Sequence, residues 1–111
     1  MVIYPVFAIL DDRTLSVYAS LEEVQRDLEV IDIDAGEYAF FDARGRALRP
    51  DVIPPVFSKH GRFIGIGGGE LKGFDIGDGP PLIERLSGVF HINDNSYFPD
   101  VPTIVSFLTR P

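Results

Sequence analysis

The sequence predicts a single α+β domain over residues 1–111: a bent, mostly antiparallel sheet of about five strands, one main helix, and one or two short C-terminal helices. Three observations carry this. Short β-branched and aromatic runs recur between Gly, Pro and Asp turns. One amphipathic stripe with a capping box follows the second run. Apolar residues make up 45% of the 111, enough for a core in a chain of single-domain size. The order of elements favours a small roll or partly open barrel over a parallel sheet.

Val2 to Leu10 is a short apolar run and reads as a strand. Pro5 lacks a donor, which makes that strand an edge or marks a bulge, and as an edge it would pair with a second copy into a symmetric homodimer. Asp11-Asp12-Arg13 turns the chain. Thr14 to Ala19 then alternates, with Leu15, Val17 and Ala19 on one face. Ser20-Leu21-Glu22-Glu23 is a capping box, and Leu21, Val24, Leu28 and Ile31 follow at helical spacing, so a helix is expected over 21–31. Asp32, Asp34 and Gly36 end it.

Glu37 to Asp42 is a third strand. Asp42-Ala43-Arg44-Gly45 has the composition of a turn, and Arg46 to Leu48 returns as a fourth strand. Pro50, Pro54 and Pro55 then predict extended, irregular chain. Val56-Phe57 and Arg62 to Ile66 read as strands around the polar turn Ser58-Lys59-His60-Gly61. Gly67-Gly68-Gly69 is a loop or bent bulge before a strand over Leu71 to Ile76. Pro80-Pro81 opens a short helix through Leu86. Asp100 and Pro102 favour a helix over Thr103 to Leu108, while β-branched Thr103, Ile104 and Val105 suit a last strand.

Composition narrows the function classes. Without cysteine there is neither a disulfide nor a thiolate metal site, which fits a reducing compartment. The longest apolar run is far short of the ~20 residues of a membrane span. No Lys or Arg precedes it and two Asp follow, unlike a signal peptide. A cytoplasmic protein without membrane contact is the expectation. The net charge of −7 is unevenly placed. Residues 11–37 hold nine acids against Arg13 and Arg26, whereas residues 44–62 hold Arg44, Arg46, Arg49, Lys59 and Arg62 against Asp51 alone.

Few motifs carry chemistry. Gly65-Ile66-Gly67-Gly68-Gly69 lacks the spacing that aims successive amides at one phosphate beside a helix N-terminus, so it reads as a bend. Asp32-Ile33-Asp34-Ala35-Gly36-Glu37 opens like a calcium loop, but Ala43 stands where the closing bidentate Glu belongs. Asn93-Asp94-Asn95-Ser96 reads as an oxygen-rich turn capping its own backbone. His60 falls in a polar turn and His91 in an apolar alternation, with no second histidine at helical spacing. No serine sits in a nucleophile elbow. Neither catalysis nor a cofactor nor a metal is expected.

Two resemblances bear on the fold. Ser20-Leu21-Glu22-Glu23, Gly36-Glu37-Tyr38 and Phe41-Asp42-Ala43-Arg44-Gly45-Arg46-Ala47-Leu48 together resemble small bacterial, proteobacterial proteins of unknown function that pair a strand–helix unit with a hairpin. The apolar pair before Asp in Phe40-Phe41-Asp42 resembles the first motif of the Sm-like family, a small barrel associated with RNA. The downstream asparagine of that motif is missing, and Arg44-Gly45 is only a fragment of the second. The resemblance implies a variant Sm/SH3-like barrel.

Three functions are therefore in play. The leading expectation is a non-enzymatic protein-interaction domain, adaptor- or immunity-like, that meets a basic partner through Glu22, Glu23, Asp27 and Glu29. The alternative is a nucleic-acid-binding module using Arg44, Arg46, Arg49, Lys59 and Arg62 with neighbouring aromatics; the overall acidity weighs against it. The third is an enzyme whose site has no recognisable motif.

Overall fold

The computed structural model describes residues 1–60 and 63–110. Alternation along one strand decides the architecture. In β1 (Val6–Leu10), Val6 and Ala8 enter one apolar cluster while Phe7 and Ile9 enter another, and all four are buried. Side chains of neighbouring strand residues project to opposite faces, so both faces of the sheet are covered. β2 (Thr14–Tyr18) flanks β1 on one side and β3 (Tyr38–Phe41) on the other, both antiparallel. β4 (Ala47–Ile53) pairs with β3, and β7 (Glu70–Ile76) with β4. β8 (His91–Ile92) adds to β2 in parallel. The six-stranded order is β7-β4-β3-β1-β2-β8, with β5 (Val56–His60) and β6 (Phe63–Gly67) forming a separate two-stranded unit.

The α+β class and the mostly antiparallel sheet are as expected. The sheet is open, with β7 and β8 at its ends, and helices lie on both faces. On one face, α1 (Leu21–Asp27) and α2 (Val30–Asp34) contribute Val24 and Ile33, and Leu28 joins them from the link. On the other, α3 (Leu82–Arg85), the 3-10 turn Leu86–Gly88 and α4 (Val101–Leu108) contribute Leu82, Leu86 and Ile104 around Phe7, Phe41 and Phe98. Phe40 and Phe41 divide between the two clusters.

Four expectations need correction. β1 is interior, with neighbours on both sides, because the strand starts only after Pro5, where a missing donor costs no ladder bond. It therefore offers no edge for the homodimer contact expected there. The single helix over 21–31 is two helices, broken where Leu28 turns extended (φ −108°, ψ 137°). Leu28 and Ile33, five apart, do not share one side of a continuous helix, and the break lets both reach the core. Pro50 does not end β4. Past Leu48 that strand has a neighbour only in β7, with a bulge at Asp51/Val52, and a one-sided strand tolerates proline. The β5–β6 strands are longer than expected and absorb Ser58, Lys59 and His60; Gly61 and Arg62 lie outside the described residues.

The local signals elsewhere operate as expected. Ser20 Oγ accepts from the Glu23 amide at 3.3 Å, and Glu23 Oε2 accepts from the Ala19 amide at 2.7 Å. α2 ends at Gly36, whose φ of +78° suits glycine; the Gly36 and Glu37 amides donate back to the Ile33 and Asp32 carbonyls. Asp100 caps α4 by accepting from the Thr103 amide at 2.8 Å and its hydroxyl at 2.6 Å, and this selects helix over strand.

The β3–β4 turn hides a buried charge. Asp42 is 0% exposed, and its Oδ1 accepts from the Arg44 and Arg46 amides at 3.0 and 3.1 Å. Its Oδ2 accepts from Arg46 Nε at 2.9 Å and Nη2 at 2.5 Å. Gly45 (φ +76°) completes the turn, and its carbonyl receives the Leu82 amide at 2.8 Å, which docks α3. Replacing Asp42 by Ala leaves the two backbone amides without their acceptor, while Arg46, 35% exposed, still reaches water. A loss of roughly 1–3 kcal/mol is expected in urea unfolding; a loss within experimental error would contradict this role.

Candidate protein-interaction site

The four acids expected to meet a partner do not act as one flat stripe. Glu23 is half-buried and spends an oxygen on the Ala19 amide. Asp27 accepts from the Tyr18 hydroxyl at 2.5 Å, which ties the C-terminal end of α1 to β2. Glu22 and Glu29 are exposed. Burial first, then the hydrogen bond to Asp27, raises the Tyr18 hydroxyl far above the usual phenol range. At neutral pH that hydroxyl is a fixed donor and not a base.

Glu23 and Asp27, but not Glu22 or Glu29, line a cleft of about 350 Å³ between α1 and the loop after β8. Tyr18, Glu23, Arg26 and Asp27 face Asp94 and Tyr97 across it. Asp94 comes from the oxygen-rich turn and Tyr97 directly follows it; neither was foreseen as a site residue, because nothing local links position 94 to position 27. The turn is organised as its composition suggested. Asn95 Oδ1 accepts from the Tyr97 and Phe98 amides at 2.9 and 2.6 Å, and Asn93 Nδ2 donates to Ser16 Oγ at 2.7 Å. With its oxygen committed to the backbone, Asn95 is poorly placed to ligate a cation. Among the described residues no group of three or more His, Asp or Glu is arranged to hold a metal.

The negative charge continues past α1. Asp32, ahead of burial and Asp11, pushes the Glu37 carboxyl above its ordinary range. Burial, then Asp32, Glu37, Asp27 and Glu29, raises the neighbouring Tyr38 phenol. Among the described residues there are two ion pairs, Arg46–Asp42 and Arg49–Asp75. None of the nine acids in residues 11–37 belongs to either.

The arginine hairpin is less free than its sequence suggests. Arg46 is committed to Asp42 and also donates to the Met1 carbonyl at 2.7 Å. Arg49 lies 3.8 Å from Asp75 on the surface, and Arg44 is exposed. Phe40 and Phe41 are both buried, so neither offers a ring face to a base. Lys59 lies in β5, away from the hairpin turn in sequence, and Arg62 lies outside the described residues. His91 is exposed on the edge strand β8. No helix of the described residues is long and apolar enough to cross a membrane. The chain matches no family model, no curated protein and no solved structure.

The crowded carboxylates predict a pH signature. A carboxyl raised in the folded state contributes stability below its unfolded pKa, and that contribution is lost as pH rises through the folded value. At neutral pH Glu37 therefore opposes folding. Glu37→Gln should raise the melting temperature at neutral pH, with the gain vanishing once the medium is acidic enough to protonate wild-type Glu37. A gain that persists unchanged in acid would show that charge repulsion is not its cause.

Proposed function

We propose that this chain is a non-enzymatic protein-interaction domain, adaptor- or immunity-like, whose acidic face takes a basic segment of a partner. One observation carries the reading: the nine acids of residues 11–37 gather on α1, α2 and the adjoining turns, and among the described residues none is neutralised by an ion pair. The repulsion that raises Glu37 marks the field this leaves at the surface. Such a field steers a cationic partner and selects against acidic ones. The cleft between α1 and residues 94–97 supports the same reading, because it sets Glu23, Asp27 and Asp94 beside the half-exposed ring of Tyr97. Beside the chain's own Arg26, a guanidinium or ammonium finds these three carboxylates and an aromatic surface there.

The test separates this face from the overall charge. Octalysine peptide is titrated into the full chain at low salt and binding is followed calorimetrically. E22K/E29K should weaken binding at least tenfold, while D78K/E84K, with the same change in net charge at other surface positions, should leave it within about twofold. Equal losses from the two variants would reduce the effect to bulk charge and remove the assigned face.

A further inference from the structure

The sheet forks between β3 and β4. The two strands pair only at Phe40 with Leu48 and at Phe41 with Ala47. Among the described residues, Tyr38 and Ala39 have a strand neighbour in β1 alone, and Arg49 and Pro50 in β7 alone. Continuing the register would set Pro50 opposite Tyr38, and proline has no amide hydrogen to offer there. The fork is therefore written into the sequence, and it opens a cleft of about 440 Å³, within the size range of small-molecule sites.

Its surfaces are apolar and held by backbone. Ala39 and Ala47 line it and pack against the cluster around Phe7 and Phe41. Their methyl groups leave room that larger side chains would fill. The segment from Gly77 to Pro80 forms a wall. The Gly77 amide donates to the Ala47 carbonyl at 2.8 Å. A Cβ on Gly79 would stand 3.2 Å from the Ala47 side chain, so glycine lets the wall lie this close.

The charged residues of the cleft are Arg49, Arg85 and Asp78, all exposed. Arg85, on α3, belongs to no ion pair among the described residues. Arg49 lies 3.8 Å from Asp75, with the two side chains 68% and 63% exposed; such a surface pair is weak and yields readily to a better partner. Two guanidiniums beside apolar walls suit a ligand with an apolar body and an anionic head. The planar fork of arginine matches a carboxylate. Asp78 and the net charge of −7 select against ligands carrying several negative charges.

We infer that the β3–β4 fork binds a small monocarboxylate with an apolar body, its carboxylate meeting Arg49 and Arg85 and its body lying against Ala39, Ala47 and Gly79. None of the acids at positions 11–37 lines this cleft, so the inference stands apart from the acidic face.

Titration of 4-phenylbutyrate into the full chain, followed amide by amide in nitrogen–proton correlation spectra, tests it. Shifts should saturate in the millimolar range or below and gather on Ala39, Ala47, Gly77 and Gly79. R49Q/R85Q should weaken binding at least tenfold, with spectral dispersion unchanged because both side chains are exposed. R44Q/R110Q, the same change in net charge away from the cleft, should leave it within about twofold. The uncharged 4-phenylbutanamide should bind at least tenfold more weakly than the acid. Shifts that never saturate, or that gather away from the fork, would overturn the inference. So would equal binding of the amide, or equal losses from the two arginine variants.

Discussion

The fold depends on β1 being buried on both faces. A strand that sends Val6 and Ala8 to one cluster and Phe7 and Ile9 to the other must have cover above and below. The helices supply it from opposite directions in the chain, α1 and α2 before the β3–β4 hairpin and α3 and α4 after it. Each large apolar side chain fully buried here contributes about 1.5–3 kcal/mol relative to exposure. Phe7, Phe40 and Phe41 are among the largest that are fully enclosed. Among the described residues Asp42 is the one carboxylate admitted to this interior, where two backbone amides and Arg46 satisfy it.

Charge follows from that arrangement. With both faces of the sheet closed, the acids of α1, α2 and the adjoining turns sit outside, and no basic residue of the same face pairs with them among the described residues. β5 and β6, between β4 and β7 in sequence, form a separate two-stranded unit among the described residues. Sequence patterning alone showed the segregation of charge along the chain.

Much of the local structure was legible because short-range chemistry determines it. Ser20 and Glu23 begin a helix, Gly36 ends one, Asp42 to Gly45 turn a hairpin, and Asp100 caps the last helix. Sequence failed where a distant partner decides. Pro5 and Pro50 read as breaks, but their effect depends on which side of each strand has a neighbour. Leu28 looked like one more position on a helical stripe, and the break there serves Ile33. Of the candidate site, the acids were visible and the opposite wall of the cleft was not: Asp94 and Tyr97 meet α1 through the register of β8 on β2. Arg46 looked free for nucleic acid, although an Asp four residues earlier across a turn was a signal that it is spent internally.

Amide hydrogen exchange on the full chain tests the central constraint directly. If the doubly buried strand holds the structure together, the hydrogen-bonded amides of Val6–Leu10 and Tyr38–Phe41 exchange last, at the rate of global unfolding. Those of α1 and α2 open earlier. Exchange of the β1 amides ahead of the α1 amides would contradict the account, since the strand would then be a peripheral element and not the one both cores share.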